Sequence, residues 1–469
     1  MHPPYDADTI AAIATPPGKG GLGVIRVSGP RSAAIGAALF TATNPAFAGF
    51  VPRVLHHGLV RDRSGRPLDE TLVVLMPGPR SYTGEDVLEI QGHGGPAAMR
   101  RVLSAVLAEG ARPAQAGEFT KRAFLNGRLD LSQAEAVAEL TGAASETQAD
   151  MALSRLRGLT GAKARQLREI LEELRAKVCL AVDFPDEDVE CLSREEFSDK
   201  VETVLSRVDE LLRAHERARP FREGALAVLF GRVNAGKSSL FNALLGRDRA
   251  IVTDIPGATR DYLEEGLDLD GLPVRLADTA GLRETEDAIE RLGLDRSRDL
   301  AAQADIGVFV IDGAAPFSPE DAAEDLAIAK ALGPERVIAA INKTDLPPAF
   351  PDPCEECRKM GFTPVRVCAK TGQGLDELAG LVRERLTGGK NGPGAPEAGE
   401  APPSLREAES LRKARLELSA LLADIAAGIP FDLMGVRLDT VCADLAAITG
   451  EIAPEGVLES VFASFCIGK

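Results

Sequence analysis

A glycine-rich segment from Gly231 to Ser239 carries the residue types that bind phosphate. It reads GRVNAGKSS, with four residues between Gly231 and the run Gly236-Lys237-Ser238. In such a loop, backbone N–H groups surround a phosphate, the lysine amine reaches the outer phosphates and the serine hydroxyl holds Mg²⁺. Apolar residues precede the loop and a helical pattern follows it, which is the strand–loop–helix context of a P-loop.

Three downstream segments place further polar groups at the ends of predicted strands. They are Asp278-Thr279-Ala280-Gly281, Asn342-Lys343-Thr344-Asp345 and Cys368-Ala369-Lys370. We expect Asp278 near Mg²⁺ and the Gly281 N–H near a γ-phosphate. The Asp345 carboxylate can accept two hydrogen bonds from guanine, from N1–H and the 2-amino group, whereas adenine lacks this donor pair. Four motifs in this order predict a GTP-binding domain.

Length and composition bound the organisation of the chain. Its 469 residues suggest about three domains, and 45% hydrophobic with 27% charged residues is typical of a soluble globular protein. The N-terminus has no apolar signal region and no run reaches membrane-spanning length. Seven scattered cysteines suggest reduced thiols in a cytosol, so we expect a cytoplasmic protein. The net charge of −17 argues against broad, non-specific nucleic-acid binding but permits a local basic patch.

Pattern changes along the chain predict three domains, one of them discontinuous. Residues 1–127 alternate short predicted strands with turns, which indicates an α+β domain. Gly18–Gly23 matches the GxGxxG pattern of dinucleotide-binding loops, but it precedes a strand instead of a helix and is therefore interpreted as a turn. Helical patterning starts near Asp130, with a capping box predicted at Ser132–Glu135. After the α+β domain we expect a first helical segment at 128–218, an α/β P-loop GTPase at 219–388, and a linker with a second helical segment at 389–469. We therefore expect one α-helical domain with the GTPase inserted into it.

The hydrolytic residues of this GTPase differ from those of the common small GTPases. Leu282 stands where those proteins have a water-orienting glutamine, so another group must organise hydrolysis. The side-chain oxygen of Asn234 suits a monovalent cation near the β/γ-phosphates, which could replace the charge of an arginine finger. Glu290 lies on a helix-like stretch and could position water, although the pattern alone is more typical of a solvent-facing helix residue.

The chain resembles the tRNA-modification GTPase family MnmE (TrmE). The resemblance rests on GEFTKRAFLNGRLDLSQAEAV at Gly117–Val137, the inserted GTPase and the terminal Cys466-Ile467-Gly468-Lys469, and it covers essentially the whole chain. It implies a homodimer formed through the N-terminal domain, which binds 5-formyl- or 5,10-methylene-tetrahydrofolate. It also implies K⁺-assisted GTP hydrolysis with an FAD-containing MnmG-like partner, in a heterotetramer or larger assembly. Together such proteins install an aminomethyl or carboxymethylaminomethyl group at C5 of the wobble uridine, position 34, of certain tRNAs.

The resemblance also implies the roles of individual residues. Contacts to GTP fall on Asn234, Ala235, Gly236, Lys237, Ser238, Ser239, Thr253, Asp254, Ile255, Pro256, Gly257, Ala258, Thr259, Asp278, Thr279, Ala280, Gly281, Asn342, Lys343, Asp345, Cys368, Ala369 and Lys370. Ser238 and Thr259 are the implied Mg²⁺ ligands, and the K⁺ positions are Asn234, Thr253, Ile255 and Ala258. Glu290 is the implied catalytic glutamate. The folate contacts are Arg26, Glu89, Arg128 and Lys469.

Four positions depart from the family pattern. Val233 replaces a proline, Ala258 a threonine, Cys368 a serine and Arg128 a lysine. Val233 should cost the P-loop some rigidity only. At Ala258, K⁺ affinity survives if the contact there is a backbone carbonyl and otherwise falls. The expected contacts of Cys368 to the nucleobase come from its backbone, so the change from serine should be tolerated. Arg128 keeps the positive charge of the lysine.

The terminal tail is a second candidate for chemistry. Residues 457–465 carry apolar side chains at helical spacing, so the tail should leave a docked helix instead of fraying. Cys466 would then face the folate site and take part in the modification, although a buried cysteine is more often inert. Two other functions remain open: an RNA- or ribosome-binding GTPase switch without modification chemistry, and a folate-dependent one-carbon transferase with a regulatory GTPase.

Overall fold

The described part of the chain forms two compact units. A computed structural model describes residues 8–183, 193–248, 264–278, 303–318, 320, 322–387, 396, 399–463 and 465–469. The first unit comprises Met1–Ala138, Arg155–Leu205 and Glu409–Lys469, and the second comprises Glu139–Ser154 and Ser206–Ala408. The three-domain division with boundaries near 127, 218 and 388 stays a prediction.

A seven-stranded sheet organises the N-terminal part of the first unit. Its strands are β1 (Ile10–Ile13), β2 (Gly23–Ser28), β3 (Phe40–Ala42), β4 (His56–Arg61), β5 (Pro67–Met76), β6 (Val87–Gly92) and β7 (Arg112–Pro113). They lie in the order β3-β4-β5-β6-β2-β1-β7, antiparallel except where β1 meets β7. Helices α1 (Ser32–Leu39) and α2 (Pro96–Ala108) contribute to the apolar core on one face of the sheet.

Side chains alternate between the two faces of the sheet along β2, and this decides which of them face that core. Ile25 and Val27 are fully buried and belong to the same core as Met99 and Val102 of α2. Because successive side chains of a strand point to opposite faces, Arg26 lies on the other face of the sheet. This face receives the chain terminus.

Helices on both sides of the GTPase sequence pack together in the first unit. In this unit lie α3 (Glu118–Leu125) and the start of α4 (Leu131–Gly142), together with α6 (Leu159–Asp183), α13 (Phe431–Thr449), α14 (Glu455–Ala463) and most of α12 (Leu405–Ala426). Helices α6 and α13 pack along each other, with Arg175 Nη1 lying 2.8 Å from Asp439 Oδ1. A second ion pair joins Arg168 and Glu451.

The capping box of α4 lies two residues earlier than predicted. The Asp130 N–H donates to Gln133 Oε1 at 2.9 Å, and the Gln133 N–H donates to Asp130 Oδ1 at 2.8 Å. The prediction at Ser132–Glu135 is therefore wrong. Ser132 is buried inside the helix, and Glu135 instead pairs with Arg155. Both Asp130 and Ser132 are good N-cap types, and the earlier one begins the helix.

The second unit is built on a six-stranded sheet. Its strands are β8 (Ala225–Phe230), β9 (Glu264–Leu269), β10 (Leu272–Asp278), β11 (Ile306–Asp312), β12 (Val337–Asn342) and β13 (Thr363–Arg366). The order is β13-β12-β11-β8-β10-β9, and all neighbours are parallel except β9 and β10. Fully buried β8 and β12 match the apolar runs of the sequence. The carboxyl ends of parallel strands meet at one edge, which brings the sequence motifs together there.

Helices complete the second unit. They are α5 (Glu146–Leu156) and α7 (Arg194–Glu223), each of which also extends into the first unit, with α8 (Lys237–Asp248), α9 (Ala323–Leu332), α10 (Pro353–Lys359) and α11 (Leu375–Leu386). Among the helices of the described residues, none combines the length and the apolar character that a membrane span requires.

Candidate functional site

The phosphate-binding loop joins β8 to the N-terminus of α8. Lys237 is 5% exposed, and its Nζ donates to the carbonyl oxygens of Gly231 and Arg232, each at 2.8 Å. The loop thus wraps around the amine that is expected to reach the outer phosphates. Asn234 has a left-handed backbone with φ of 63°, and its side chain is exposed. Its oxygen is therefore accessible to a ligand.

Ser238 and Asp278 bring two oxygen ligands together. Ser238 Oγ donates to Asp278 Oδ2 at 2.9 Å, and the Asp278 residue is 5% exposed at the end of β10. A hydroxyl and a carboxylate side by side are the hard oxygen donors that Mg²⁺ prefers, and Mg²⁺ takes few protein ligands beside phosphate oxygens. The residues present therefore fit Mg²⁺. Ser239, next in α8, is exposed.

Asn342 connects the nucleobase motif to the phosphate loop. Its Nδ2 donates to the carbonyl oxygen of Ala235 at 3.0 Å, and its Oδ1 accepts from the Ala369 N–H at 3.1 Å. Asp345 Oδ1 accepts from Cys368 Sγ at 3.3 Å. These contacts bring three of the predicted segments to one edge of the sheet.

Asp312 is a further residue at this edge, outside the predicted motifs. Asp312 ends the apolar strand β11, and its Oδ2 lies 2.6 Å from Lys343 Nζ. Lys343 has a left-handed φ of 64°, so the ion pair helps to hold a strained lysine of the base motif. A carboxylate that directly follows a buried parallel strand is the same signal that marked Asp278, and it could have identified this residue.

A second polar cluster surrounds Arg26 in the first unit. Arg26 Nε donates to Glu89 Oε1 at 3.0 Å across the β2–β6 pair. The guanidinium carbon lies 5.1 Å from the ring centre of Tyr82 and 5.8 Å from that of Phe119. Arg26 is thus held by one charge and two aromatic faces, the latter a favourable cation–π arrangement. Tyr82 and Phe119 had no role in the sequence analysis.

The chain terminus reaches this cluster. The Phe119 N–H donates to Lys469 O at 3.2 Å, and Arg26 Nη1 donates to Gly468 O at 3.5 Å. Ile467 forms an antiparallel β-bridge with Ala116. Gly468 has φ of 100°, and a Cβ there would lie 2.5 Å from the carbonyl oxygen of Ile13, so only glycine allows this approach.

Arg128 approaches the same cluster through a neighbouring loop. Its Nε donates to Ser81 O at 3.1 Å, and Ser81 directly precedes the Tyr82 that lies under Arg26. Of the four predicted folate contacts, Arg26 and Glu89 therefore contact each other, the Lys469 backbone bonds Phe119 beside them, and Arg128 reaches the neighbouring Ser81. Their role in folate binding stays a prediction. The Tyr82 hydroxyl bonds Thr120 Oγ1 at 2.8 Å, and burial raises the pKa of Tyr82 despite that bond and the nearby Arg26.

Cys466 lies on the surface of this docked tail. Helix α14 precedes it, and Phe462 and Phe465 are buried against Ala134 and Val137 of α4. The expected docked helix is confirmed. The thiol itself is free and exposed, so it is not the inert core cysteine that was weighed against a catalytic role.

The comparisons with known proteins identify the family of the chain. Residues 9–128 match the family model "GTP-binding protein TrmE N-terminus", and residues 131–466 match that of the "MnmE helical domain". The chain is 51% identical to the tRNA modification GTPase MnmE of Nitratidesulfovibrio vulgaris (strain DP4) over 464 residues, 98% of this chain and 99% of the relative. The chain belongs to the MnmE family of tRNA modification GTPases. Membership makes it an enzyme, a GTP hydrolase.

Other matches are more distant. The tRNA modification GTPase MnmE of Thermus thermophilus is 42% identical over 468 residues, 98% of this chain and 99% of the relative. The crystal structure of the G domain of the T. maritima FeoB iron transporter is 27% identical and covers 34% of this chain and 98% of its own, with a TM-score of 0.26.

Several residues that the MnmE resemblance implicates lie outside the described residues. They are Thr253, Asp254, Ile255, Pro256, Gly257, Ala258, Thr259, Thr279, Ala280, Gly281 and Glu290. Their roles stay predictions, as does a K⁺ site built from Asn234 and that loop. Of the implied Mg²⁺ ligands, Ser238 is described and Thr259 is not.

Proposed function

We propose that this chain is a K⁺-dependent GTPase that works with an FAD-containing, MnmG-like protein to modify C5 of the wobble uridine of certain tRNAs. The group installed is of the aminomethyl or carboxymethylaminomethyl type, and a tetrahydrofolate supplies its one-carbon unit. The proposal rests on the family together with one observation. The terminal tail, with an exposed Cys466, is anchored beside the Arg26 cluster.

The Arg26 cluster suits a folate. A tetrahydrofolate combines a flat, hydrogen-bonding pterin with glutamate carboxylates. Arg26 and Arg128 supply guanidinium groups for the carboxylates, and Glu89 offers an acceptor to a pterin N–H. Tyr82 and Phe119 add aromatic surface beneath Arg26. A bound 5-formyl- or 5,10-methylene-tetrahydrofolate would supply the one-carbon unit, while these residues bind and orient it.

The nucleotide site supports GTP with Mg²⁺ and a monovalent cation. Ser238, with Asp278 beside it and the predicted ligand Thr259, would hold Mg²⁺ next to the phosphates, and Asp345 would recognise guanine. Asn234 presents its oxygen from the P-loop, and K⁺ suits such a ligand because it loses its hydration shell more easily than Na⁺. Because Leu282 replaces the water-orienting glutamine, a K⁺ ion bound at Asn234 would supply positive charge, and Glu290 would position water.

Exposed apolar residues of the N-terminal sheet support a homodimer through that region. Val51, Val54 and Leu55 lie in the segment before β4, and Leu72 of β5 pairs with His57 of β4; all four are exposed. Apolar side chains that cluster at a surface mark protein–protein contacts. We place the protein in the cytoplasm, since the six described cysteines are free thiols.

Mass spectrometry of wobble nucleosides tests the proposal. Transfer RNA from a strain that lacks the gene should carry an unmodified C5 at the wobble uridine, and the wild-type gene should restore the modified nucleoside. Identical nucleosides with and without the gene would contradict the proposal. They would favour the alternative of an RNA- or ribosome-binding switch without modification chemistry.

A further inference from the structure

An arginine-lined groove lies between α2 and the turn that joins β4 to β5. The groove has a volume of about 810 Å³. Its guanidinium groups come from Arg63 and Arg66 on the turn and from Arg100 and Arg101 on the helix. We call this feature the arginine groove. It is unexpected in a chain with a net charge of −17.

The helical repeat explains how α2 contributes to the groove. Met99, Val102 and Val106 are buried beneath the helix against the sheet. The opposite face therefore carries the residues at the complementary positions of the 3.6-residue repeat. These are Ala97, Arg100, Arg101, Ser104 and Ala108. Small residues on both sides of the arginines leave room for a ligand between the guanidinium groups.

The turn that forms the other wall is held in place. Arg63 Nε donates to Glu109 Oε1 at 2.7 Å, just beyond the end of α2. Asp62 Oδ1 accepts from the Ser64 N–H at 2.9 Å, from the Ser64 hydroxyl at 2.6 Å and from the Arg66 N–H at 3.1 Å. These bonds lower the pKa of Asp62, the Ser64 hydroxyl being the main cause. The wall is therefore preorganised before any ligand arrives.

The charges of the groove are not balanced from within. Asp62 directs one oxygen to the turn itself, and Glu109 pairs with Arg63. The guanidinium groups of Arg66, Arg100 and Arg101 form no ion pair with a carboxylate of the described residues. Asp62, which also lines the groove, offsets part of the Arg66 charge without forming an ion pair with it. The four arginines still outnumber the carboxylates and create a positive potential that an anionic ligand would neutralise.

The arginine groove is separate from the Arg26 cluster. Residues Ile25 and Val27 of β2 face α2, whereas Arg26 between them faces the terminal tail. The sheet itself thus stands between the two sites. A ligand in the groove is therefore not the folate of the proposed function.

We propose that the arginine groove binds the phosphate backbone of a double-helical stem of tRNA. The proposal rests on the proposed function, which supplies tRNA as the partner. Guanidinium groups match phosphate oxygens in a bidentate geometry, and stems of RNA are recognised mainly through backbone phosphates and 2′-hydroxyls. None of the described residues that line the groove is aromatic, so it offers no stacking surface for unpaired bases. The groove positions the tRNA and reads no sequence.

Binding of an unmodified tRNA transcript to the full-length protein tests this inference. Fluorescence anisotropy at several salt concentrations gives both affinity and salt dependence. We expect the triple variant Arg66→Gln, Arg100→Gln, Arg101→Gln to bind at least about tenfold more weakly. Its slope of log K against log[salt] should be shallower by about 2, because each lost phosphate contact removes roughly 0.7–0.9. GTP turnover without tRNA should not change, because these residues lie outside the nucleotide site.

The matched control is Arg207→Gln, Arg213→Gln on α7. Both arginines are exposed and lack a carboxylate partner among the described residues, but they do not line the groove. The control should keep wild-type affinity and slope, and circular dichroism should give equal melting temperatures for all three proteins.

Three results would overturn the inference in distinguishable ways. Equal affinity and slope for the triple variant and the wild type would remove the groove as a tRNA site and leave the proposed function standing. If the triple variant keeps its tRNA affinity but no longer binds the FAD-containing partner, the groove binds a protein instead of tRNA. A wild-type protein that does not bind tRNA at all would contradict the proposed function as well.

Discussion

The side-chain amide of Asn342 donates to the backbone carbonyl of Ala235 at 3.0 Å and so joins the nucleobase motif to the P-loop. Gly236 makes this approach possible, because a Cβ there would lie 2.2 Å from Asn342 Nδ2. Its φ of 96° is also one that L side chains rarely adopt. The glycine next to the P-loop lysine therefore serves the base site as well as the phosphates.

Gly236→Ala should weaken GTP binding at least about tenfold, because the new methyl group displaces Asn342 and strains the loop by more than about 1.4 kcal/mol. Titration with a fluorescent GTP analogue measures the effect. The control is Gly246→Ala, since nothing lies within 4 Å of a Cβ at that position on α8. Equal affinity for both variants would show that Asn342 does not depend on Gly236.

Monovalent ions should control GTP turnover through Asn234. The wild-type protein should hydrolyse GTP at least about tenfold faster in K⁺ than in Na⁺ at equal ionic strength, because K⁺ supplies the charge of an arginine finger. Asn234→Gly keeps the left-handed backbone but removes the oxygen, so its turnover should be the same in both salts. Val233→Ala, an exposed neighbour without a side-chain oxygen, should keep the K⁺ effect. Equal wild-type rates in the two salts would refute the K⁺ site.

Glu290→Ala should separate binding from hydrolysis. If Glu290 positions the attacking water, turnover falls by about 10²-fold or more while GTP affinity stays nearly unchanged. Single-turnover hydrolysis and equilibrium binding measure the two quantities. Glu355→Ala, at an exposed position on α10, serves as the control. Normal turnover in Glu290→Ala would mean that Glu290 has no catalytic role.

A buried ion-pair network should make the first unit sensitive to acid. Arg122 is 3% exposed and contacts Glu85 and Glu118, each at 3.1 Å. Burial raises the pKa of Glu118, but hydrogen bonds from Arg112, the Gln115 N–H and Arg122 outweigh it, so the pKa lies below its ordinary 4.5. Because the folded-state pKa is depressed, the stabilisation is present above about pH 4.5 and is lost as the pH falls through the folded-state pKa.

Arg122→Met should lower the free energy of unfolding by about 3–5 kcal/mol at pH 7, because it removes the buried cation that Glu85 and Glu118 share and leaves Glu118 with Arg112. Chemical denaturation of the full chain between pH 3 and pH 7 measures both effects. The acid sensitivity should be smaller in this variant than in the wild type. Arg157→Met, at an exposed arginine, should change stability by no more than about 0.5 kcal/mol. A similarly small loss in Arg122→Met would show that the network is not stabilising.

Local sequence patterns predicted the GTPase strands and failed for long-range contacts. The apolar runs before Gly231 and Asn342 gave β8 and β12 almost to the residue, because buried parallel strands need continuous apolar sequence. The alternating run before Asp278 gave only the second half of β10, which begins two residues earlier, at Leu272. The contact between Arg26 and Gly468 joins residues 442 positions apart. No local pattern specifies such a contact, and only the family resemblance pointed to it. The capping box of α4 was misplaced because Asp130 and Ser132 both suit an N-cap.

We predict that the modification depends on Cys466, which the docked tail presents at the surface. Its thiol is exposed, while Gly468 and Lys469 are bonded to Arg26 and Phe119. Replacing sulfur by oxygen at Cys466 keeps the size and the docking of the tail but removes a strong nucleophile. The variant should therefore retain GTP hydrolysis, folate binding and the dimer.

Reconstituted modification of tRNA by wild-type and Cys466→Ser protein tests the account most directly. The reaction contains GTP, K⁺, Mg²⁺, a tetrahydrofolate labelled in its one-carbon unit, the FAD-containing partner and an unmodified tRNA, and mass spectrometry follows the label at C5 of the wobble uridine. The account predicts label with the wild-type protein and a loss of at least about 10²-fold with Cys466→Ser, at equal rates of GTP hydrolysis. Equal labelling by both proteins would make Cys466 a surface residue of an anchoring tail. No label with the wild-type protein would contradict the proposed chemistry itself.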